Sequence, residues 1–192
     1  PTAAAVRVQP KIRGFRILED GAAIDANTSI NVQVLDDAGN VVDAQANGIT
    51  VSYTGADGGM FSVENKDDGA YDVSVNVNVG TRVISKQAKI NVNRNKPAVK
   101  IMNGSEELAQ GTIVSSKPEF NVQVRDGNGV DQASIRIYID NAEVSNSDVK
   151  VRAVAADSVA AYSVEYKSSQ VLTEGTHTLK VIARDALGKE SV

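Results

Sequence analysis

The chain of 192 residues contains no cysteine and no tryptophan, and it has a single histidine. Without cysteine, the sequence can supply neither a disulfide framework nor a thiolate metal site. A nucleophilic triad needs a base, and the one histidine, His177, lies in an alternating stretch between Thr176 and Thr178. We interpret His177 as structural or surface-facing, so the sequence predicts no catalytic residue and no enzyme.

The sequence also lacks long apolar runs and clusters of basic residues. No run approaches the ~20 apolar residues of a membrane helix, so we predict no membrane span in this chain. The 20 Lys and Arg residues are scattered singly and the formal net charge is -4, which leaves no basic stripe to neutralise phosphates. We therefore expect no nucleic-acid partner. The first five residues lack the charged start and apolar core of a signal peptide, so we expect a processed or excised piece.

The residues that are present have the composition of an ordinary folded chain, with 42% hydrophobic and 23% charged residues. The length fits one large or two small domains of ~100 residues each. A repeat favours two domains, because Asn31-Val-Gln-Val recurs as Asn121-Val-Gln-Val about 90 residues later, roughly the length of one seven-strand sandwich. Both copies lead into a turn rich in Asp, Asn and Gly.

Apolar residues alternate with polar ones along the whole chain, which predicts strands with one buried face. Turn formers separate these strands, among them Asn47-Gly48, Asn103-Gly104 and Asn128-Gly129, and Asp140-Asn141 is placed as a two-residue hairpin turn. The predicted fold class is all-β, with two tandem antiparallel β-sandwiches. The predicted inward-facing residues are Ile30, Val32, Val34, Ile49, Val51, Tyr53, Tyr71, Val73, Val75, Val77, Ala88, Ile90 and Val92 in the first domain, and Val99, Ile101, Phe120, Val122, Val124, Ile135, Ile137, Ile139, Val149, Val151, Tyr162, Val164, Tyr166, Leu179, Val181 and Ala183 in the second.

A polar interruption at residues 93–97 marks the boundary between the two domains, because Pro97 cannot donate a sheet hydrogen bond. We assign residues 1–95 to the first sandwich, with an N-terminal extension at 1–12, and residues 96–192 to the second. The stretch Val149–Val159 is rich in alanine and valine and is compatible with a helix. We predict a strand there.

Characteristic motifs follow one another in the second domain. They are Lys117-Pro-Glu-Phe120 at the start of a strand, the turn Arg125-Asp-Gly-Asn-Gly-Val-Asp131, the hairpin Ile137–Val144, and the segment Leu172–Gly188, which combines a Gly-x-His start, alternating apolar residues and an Asp-x-x-Gly turn. From about Lys96 to Val192, this pattern resembles bacterial immunoglobulin-like modules, which occur in tandem in secreted and surface-anchored proteins. The first domain, Gly14 to Val92, is similar more loosely to the invasin-type or fibronectin III-like members, through the turn Asp36–Val42.

The resemblance implies immunoglobulin-like sandwiches and a non-catalytic role. Modules of this kind serve as structural or adhesive spacers of bacterial cell-surface or secreted proteins, so the expected location is extracellular and the expected partner is a protein or a cell surface. The alternative is an accessory region of a larger secreted enzyme that contacts a polysaccharide. Sugar binding usually needs exposed aromatic rings, and the only platform candidates are Tyr53, Tyr138 and Tyr166.

The family pattern would continue past the turn Asp185-Ala-Leu-Gly188 into a last strand. Because the chain ends at Val192, we expect the second domain to lack that strand and to expose the edge of its neighbour. A segment that follows in a longer protein, or the stretch Ala5–Gln9 of a neighbouring chain, would fill the edge by strand exchange.

Several Asp-rich turns offer the oxygen ligands that calcium prefers. The main candidates are Asp126, Asn128 and Asp131, followed by Asp36, Asp37 and Asn40 and by Asp67 and Asp68. None of these turns has the ligand spacing of the twelve-residue calcium loop. We favour the interpretation that these side chains accept backbone hydrogen bonds, and we expect no cofactor.

Overall fold

The fold is known from a computed structural model that describes residues 8–18, 21, 23–25, 31–156 and 159–191. These residues form sixteen β-strands and three short 3₁₀ turns, and they contain no α-helix. The chain divides into two units, Pro1–Val92 and Asn93–Val192. The predicted all-β class, with antiparallel sandwiches, is confirmed.

Unit 1 contains two sheets, and its buried side chains form two neighbouring apolar clusters. Its strands are β1 (Ile12–Ile17), β2 (Ala23–Ile24), β3 (Val32–Asp36), β4 (Val41–Val42), β5 (Thr50–Gly55), β6 (Gly69–Val79) and β7 (Arg82–Val92). The first sheet has the order β1-β3-β4 and the second β2-β7-β6-β5. All pairs are antiparallel except β2 with β7.

The alternating sequence of β6 determines which face of its sheet is buried. Val73, Val75 and Val77 have no exposed surface, and burial of each side chain contributes about 2 kcal/mol of hydrophobic stabilisation. These valines pack with Phe15 and Val34 from the facing sheet or with the neighbouring apolar cluster around Val92. The polar residues between them must therefore point outward.

Unit 2 has the same two-sheet plan. Its strands are β8 (Ala98–Asn103), β9 (Glu106–Glu107), β10 (Glu119–Arg125), β11 (Val130–Ile139), β12 (Ala142–Glu143), β13 (Val149–Ala156), β14 (Val159–Lys167), β15 (Leu179–Asp185) and β16 (Glu190–Ser191). The sheet orders are β13-β14-β10-β8-β9 and β12-β11-β15-β16. The predicted inward residues of β10, β11 and β14 form one core, in which Val124 and Val164 are fully buried. The strand predicted at Val149–Val159 is present as β13 and the start of β14.

The last strand of unit 2 is short. Glu190 and Ser191 form β16 and pair with Arg184 and Ala183 of β15. Within the described residues, no strand pairs with the outer edge of β15 from Leu179 to Ile182. We expected the last strand of this domain to be missing, but it is present over two residues. Strand exchange along the rest of the edge of β15 stays a prediction.

Two sequence predictions fall outside the part of the chain that the structure describes. They concern Ile30 as an inward residue and the alternating stretch Ala5–Gln9, of which only Val8 and Gln9 are described. The predicted extension 1–12 reaches the first residue of β1, Ile12, which is buried in the core of unit 1.

Candidate functional site

The outer face of the larger sheet of unit 1 carries an uncharged array of polar side chains, which we call the polar face. It occupies three neighbouring strands, and the sheet register aligns Ser52 of β5 with Asn76 of β6 and Asn76 with Ser85 of β7. The members are Thr50, Ser52, Thr54, Ser74, Asn76, Asn78, Ser85 and Gln87.

Asn76 lies at the centre of the polar face and bonds to both neighbouring strands. Its Nδ2 donates to Thr54 Oγ1 at 2.9 Å, and its Oδ1 accepts from Ser85 Oγ at 2.7 Å and from Ser74 Oγ at 3.2 Å. Asparagine is disfavoured inside strands, so its place in the middle of β6 requires this compensation. The network orients the Asn76 amide and connects it with hydroxyl groups on all three strands.

Charge borders the polar face but does not enter it. Lys89 and Asp72 form an exposed ion pair of 3.1 Å at one end of β6 and β7. The corresponding face of unit 2 is different, because ion pairs cross it between neighbouring strands. These are Lys167 with Glu119 at 2.6 Å, Arg152 with Glu165 at 3.6 Å and Lys100 with Glu107 at 4.0 Å.

A shallow hollow of about 220 Å³ lies on unit 2 beside the start of β13 and the end of β14, and it brings Ser169, Asp148 and Lys167 together. Ser169 donates through both its backbone nitrogen and Oγ to Asp148 Oδ2, at 3.1 and 2.9 Å. The hydrogen bond from Lys167 to Glu119 raises the pKa of the lysine, and the backbone N–H of Ser169 lowers the pKa of Asp148. Both shifts favour the charged form of the group and move its pKa away from neutrality, where a general base works best.

Three of the predicted calcium candidates, Asp36, Asp126 and Asp131, accept backbone hydrogen bonds through their carboxylate oxygens. Asp126 Oδ1 accepts from the backbone nitrogen of Asn128 at 2.8 Å, and Asp131 Oδ1 accepts from that of Ala133 at 2.9 Å. In the same way, Asp36 accepts from the backbone of Asn40, and this bond lowers the pKa of Asp36. In the described part of the chain, no group of three or more His, Cys, Asp or Glu side chains is placed to hold a metal ion.

His177 joins two segments of unit 2. Its Nδ1 lies 2.6 Å from Asp140 Oδ2 and its Nε2 lies 2.8 Å from the carbonyl oxygen of Thr173. Both ring nitrogens thus face acceptors, which only the doubly protonated imidazolium can satisfy. The bond to Asp140 and then the bond to Thr173 raise the pKa of His177. The sequence indicated a structural histidine, but it contained no signal for a partner 37 residues away.

Sequence reasoning also missed a buried polar cluster at Asp185, a residue that is 1% exposed. Its Oδ1 accepts from the backbone nitrogens of Leu187 and Lys189 at 2.8 and 2.9 Å, and its Oδ2 accepts from Asn93 Nδ2 at 2.8 Å. Lys189 Nζ donates to the backbone oxygen of Asn93 at 2.6 Å. Hydrogen bonds therefore connect Asn93, the first residue of unit 2, with the Asp-x-x-Gly turn near the end of the unit.

None of the three tyrosines considered as a sugar platform has a fully exposed side chain. Tyr166 is 2% exposed and stacks on Phe120 with ring centroids 6.1 Å apart. Tyr53 is half-buried against the core of unit 1, and Tyr138 is half-buried on β11. These rings therefore offer a sugar at most a partial stacking surface.

Comparison with protein families gives a match for residues 97–181, to the model described as a bacterial Ig domain. None of the curated proteins compared with the chain matches it. Among the described residues, no helix has the length and apolar character that crossing a membrane requires. The looser similarity of the first domain to invasin-type modules stays a prediction. Over residues 97–181, which carry the sandwich of unit 2 almost to its end, the chain is similar to bacterial Ig domains.

Proposed function

We propose that the chain is a non-catalytic structural or adhesive spacer module of a bacterial protein that acts outside the cell or at its surface. The observation that carries this proposal is the match of residues 97–181 to a bacterial Ig domain. A spacer needs stable domains and no reacting group. Two features stabilise unit 2: its alternate apolar side chains form one core, and the carboxylates of Asp126 and Asp131 accept hydrogen bonds from backbone N–H groups.

The geometry of the polar side chains supports the non-catalytic part of the proposal. His177 is held between Asp140 and Thr173 and faces no serine or threonine hydroxyl as a base would. In the hollow of unit 2, the lysine and the aspartate are both held in their charged forms. These groups therefore do not supply a general base with a pKa near neutrality.

A second candidate function is contact with a neutral polysaccharide, and the polar face of unit 1 favours it. Its hydroxyl and amide groups both donate and accept hydrogen bonds, as sugar hydroxyls do, and Asn76 fixes their positions. A charged ligand would gain nothing from the centre of this face. The absence of an exposed aromatic platform limits the affinity, so binding would depend on many repeated contacts along a polymer.

One experiment separates the two functions. The purified chain is applied to an array of neutral and charged glycans, beside Asn76→Lys in the polar face and Gln123→Lys, a matched change on an exposed position of β10. The spacer proposal expects no specific retention by any of the three proteins. Retention of neutral glycans that Asn76→Lys abolishes and Gln123→Lys preserves would replace it with the second candidate. Thermal melts of both variants show that the folds are intact.

A further inference from the structure

The sequence contains three Asn-Gly pairs, at Asn47, Asn103 and Asn128, and the structure places them in different surroundings. We propose that Asn103 is a site of spontaneous deamidation, with water as the only co-reactant, and that the fold makes it react faster than the other two asparagines. The attacking atom is the backbone nitrogen of the following glycine, and the surroundings of that nitrogen decide which of the three pairs reacts. Glycine has no side chain to shield that nitrogen.

The reaction balances without an oxidant or a reductant. The Gly104 nitrogen loses its proton to solvent base and forms a bond to Cγ of Asn103, while the bond from Cγ to Nδ2 breaks and ammonia leaves. The product is a five-membered succinimide ring. Water then adds to one of its two carbonyl carbons and opens the ring, which gives aspartate or, by the other opening, isoaspartate. Each route replaces a neutral amide with a carboxylate.

The Asn103-Gly104 pair is open to this attack. Both residues are exposed: Asn103 is the last residue of β8, and Gly104 is the first of the two turn residues that lead to β9. Strand β9 is only two residues long and forms the edge of its sheet, so this hairpin opens at low free-energy cost. In the described structure, the Gly104 N–H donates no hydrogen bond, and attack therefore breaks none.

The pair at Asn47 is protected by hydrogen bonds to both reacting groups. The Gly48 nitrogen donates to the carbonyl oxygen of Gln45 at 3.1 Å, so the attacking atom is occupied. The leaving group is also held, because Asn47 Nδ2 donates to the carbonyl oxygen of Asp43 at 2.7 Å.

The pair at Asn128 is protected by burial and by its turn. Gly129 is buried, and its nitrogen donates to the carbonyl oxygen of Asp126 at 3.1 Å. The backbone nitrogen of Asn128 donates to Asp126 Oδ1 at 2.8 Å. The carbonyl oxygen of Gly129 further accepts from the nitrogen of Ala186 at 2.9 Å, which ties this turn to the end of β15.

Deamidation would change the hairpin in two ways. A carboxylate at position 103 would face Glu106, its register partner, beside Glu107, and like charges directly opposite each other destabilise a strand pair. Isoaspartate would also add one carbon to the backbone, which would break the register between β8 and β9. The edge strand would then detach while β8 remains paired with β10.

The test is peptide mapping by mass spectrometry after the whole folded chain has been incubated at mildly alkaline pH. We expect Asn103 to convert at least roughly tenfold faster than Asn47 or Asn128. At those two sites, local unfolding must first break the hydrogen bond of the following glycine N–H. In denaturant, where the fold no longer protects them, the three pairs should convert at similar rates. Folded-state conversion of Asn47 or Asn128 at the rate of Asn103, or the same order of rates in denaturant, would overturn the proposal.

A variant provides the matched control. Asn103→Gln keeps an amide at this exposed position but makes the cyclisation less favourable, because the ring formed would have six members. The acidic charge variants that accumulate in the folded wild-type chain should be absent from Asn103→Gln. Their persistence would place the modified residue elsewhere.

Discussion

At the scale of single residues, the contacts of His177 in unit 2 depend on pH. Its two ring nitrogens bind Asp140 and the carbonyl of Thr173, and the side chain is 24% exposed. The hydrogen bond from His177 likewise lowers the pKa of Asp140. The pair thus stabilises unit 2 most when the imidazole is protonated and the carboxyl is ionised.

The pH dependence of this pair follows from the two pKa directions. The raised pKa of His177 gives a contribution that is complete below the unfolded value of about 6.5 and is lost as pH rises through the folded pKa. The lowered pKa of Asp140 gives one that is present above about 3.9 and is lost as pH falls through its folded value. We expect the pair to be strongest between these limits. NMR titration should show a pKa of His177 above that of a model peptide, and Asp140→Asn should lower it. An unshifted titration would contradict the contacts.

A second prediction at this scale tests the strand register of β10. Val122 is 1% exposed and packs in the core of unit 2, whereas the next residue, Gln123, is exposed. Val122→Asp should unfold unit 2, because a buried carboxylate without a partner costs more than a typical stability of ~5–15 kcal/mol can absorb comfortably. Gln123→Asp should shift the melting temperature little. Equal damage from the two changes would mean that the register is wrong.

At the scale of elements, the hairpin between β11 and β12 shows how much the sequence can determine locally. Ile139 pairs with Ala142, and the two residues between them, Asp140 and Asn141, have φ of 51° and 65°. Both values lie in the left-handed region that a type I′ turn requires. The predicted two-residue turn is confirmed, because aspartate and asparagine tolerate this region better than other residues with side chains.

This turn predicts unequal effects of two substitutions at Asn141. Asn141→Val should lower the free energy of unfolding of unit 2 by about 1–2 kcal/mol, since a β-branched residue is strained at positive φ. Asn141→Gly should be neutral or slightly stabilising, because glycine adopts the same conformation freely. Urea denaturation of the two variants measures the difference. Equal stabilities would mean that the turn is not of this type.

Other elements could not be predicted from alternation, and β1 shows why. Ile12 and Phe15 are both buried although they are three residues apart. A register irregularity between Ile12 and Gly14 in the pairing with β3 breaks the period of two, and a bulge of this kind changes which side chains point inward. Phe61 and Val63 were missed because neither belongs to a strand: Val63 begins a short 3₁₀ turn and Phe61 lies just before it.

Some features of the candidate sites could likewise be predicted from the sequence, and others could not. The outward direction of Thr50, Ser52 and Thr54 follows from the alternation that places Val51 and Tyr53 inward. The network around Asn76 does not, because it depends on the register between β5, β6 and β7. The bond between Asn93 and Asp185 joins residues 92 positions apart, and neither residue type alone predicts such a partner.

At the scale of the whole molecule, calcium tests the assignment of all the acidic turns together. Because Asp36, Asp126 and Asp131 accept backbone hydrogen bonds, we expect millimolar calcium to leave the melting temperatures of both units nearly unchanged. A ligand that binds only the folded state must stabilise it. A large increase reversed by a chelator would therefore show that these turns bind the ion.

The fastening of Asn93 to the last turn of unit 2 has a mechanical consequence. Tension that enters the unit along the chain at Asn93 is carried by two routes, the backbone into β8 and the side-chain bonds to Asp185 and Lys189. The second route lies in parallel with the first, so β8 is not peeled from β10 one hydrogen bond at a time. The bonds around Asp185 are shielded from water, which would otherwise compete for them as they stretch. A pulling force must therefore rupture this buried cluster before it unzips the sheet.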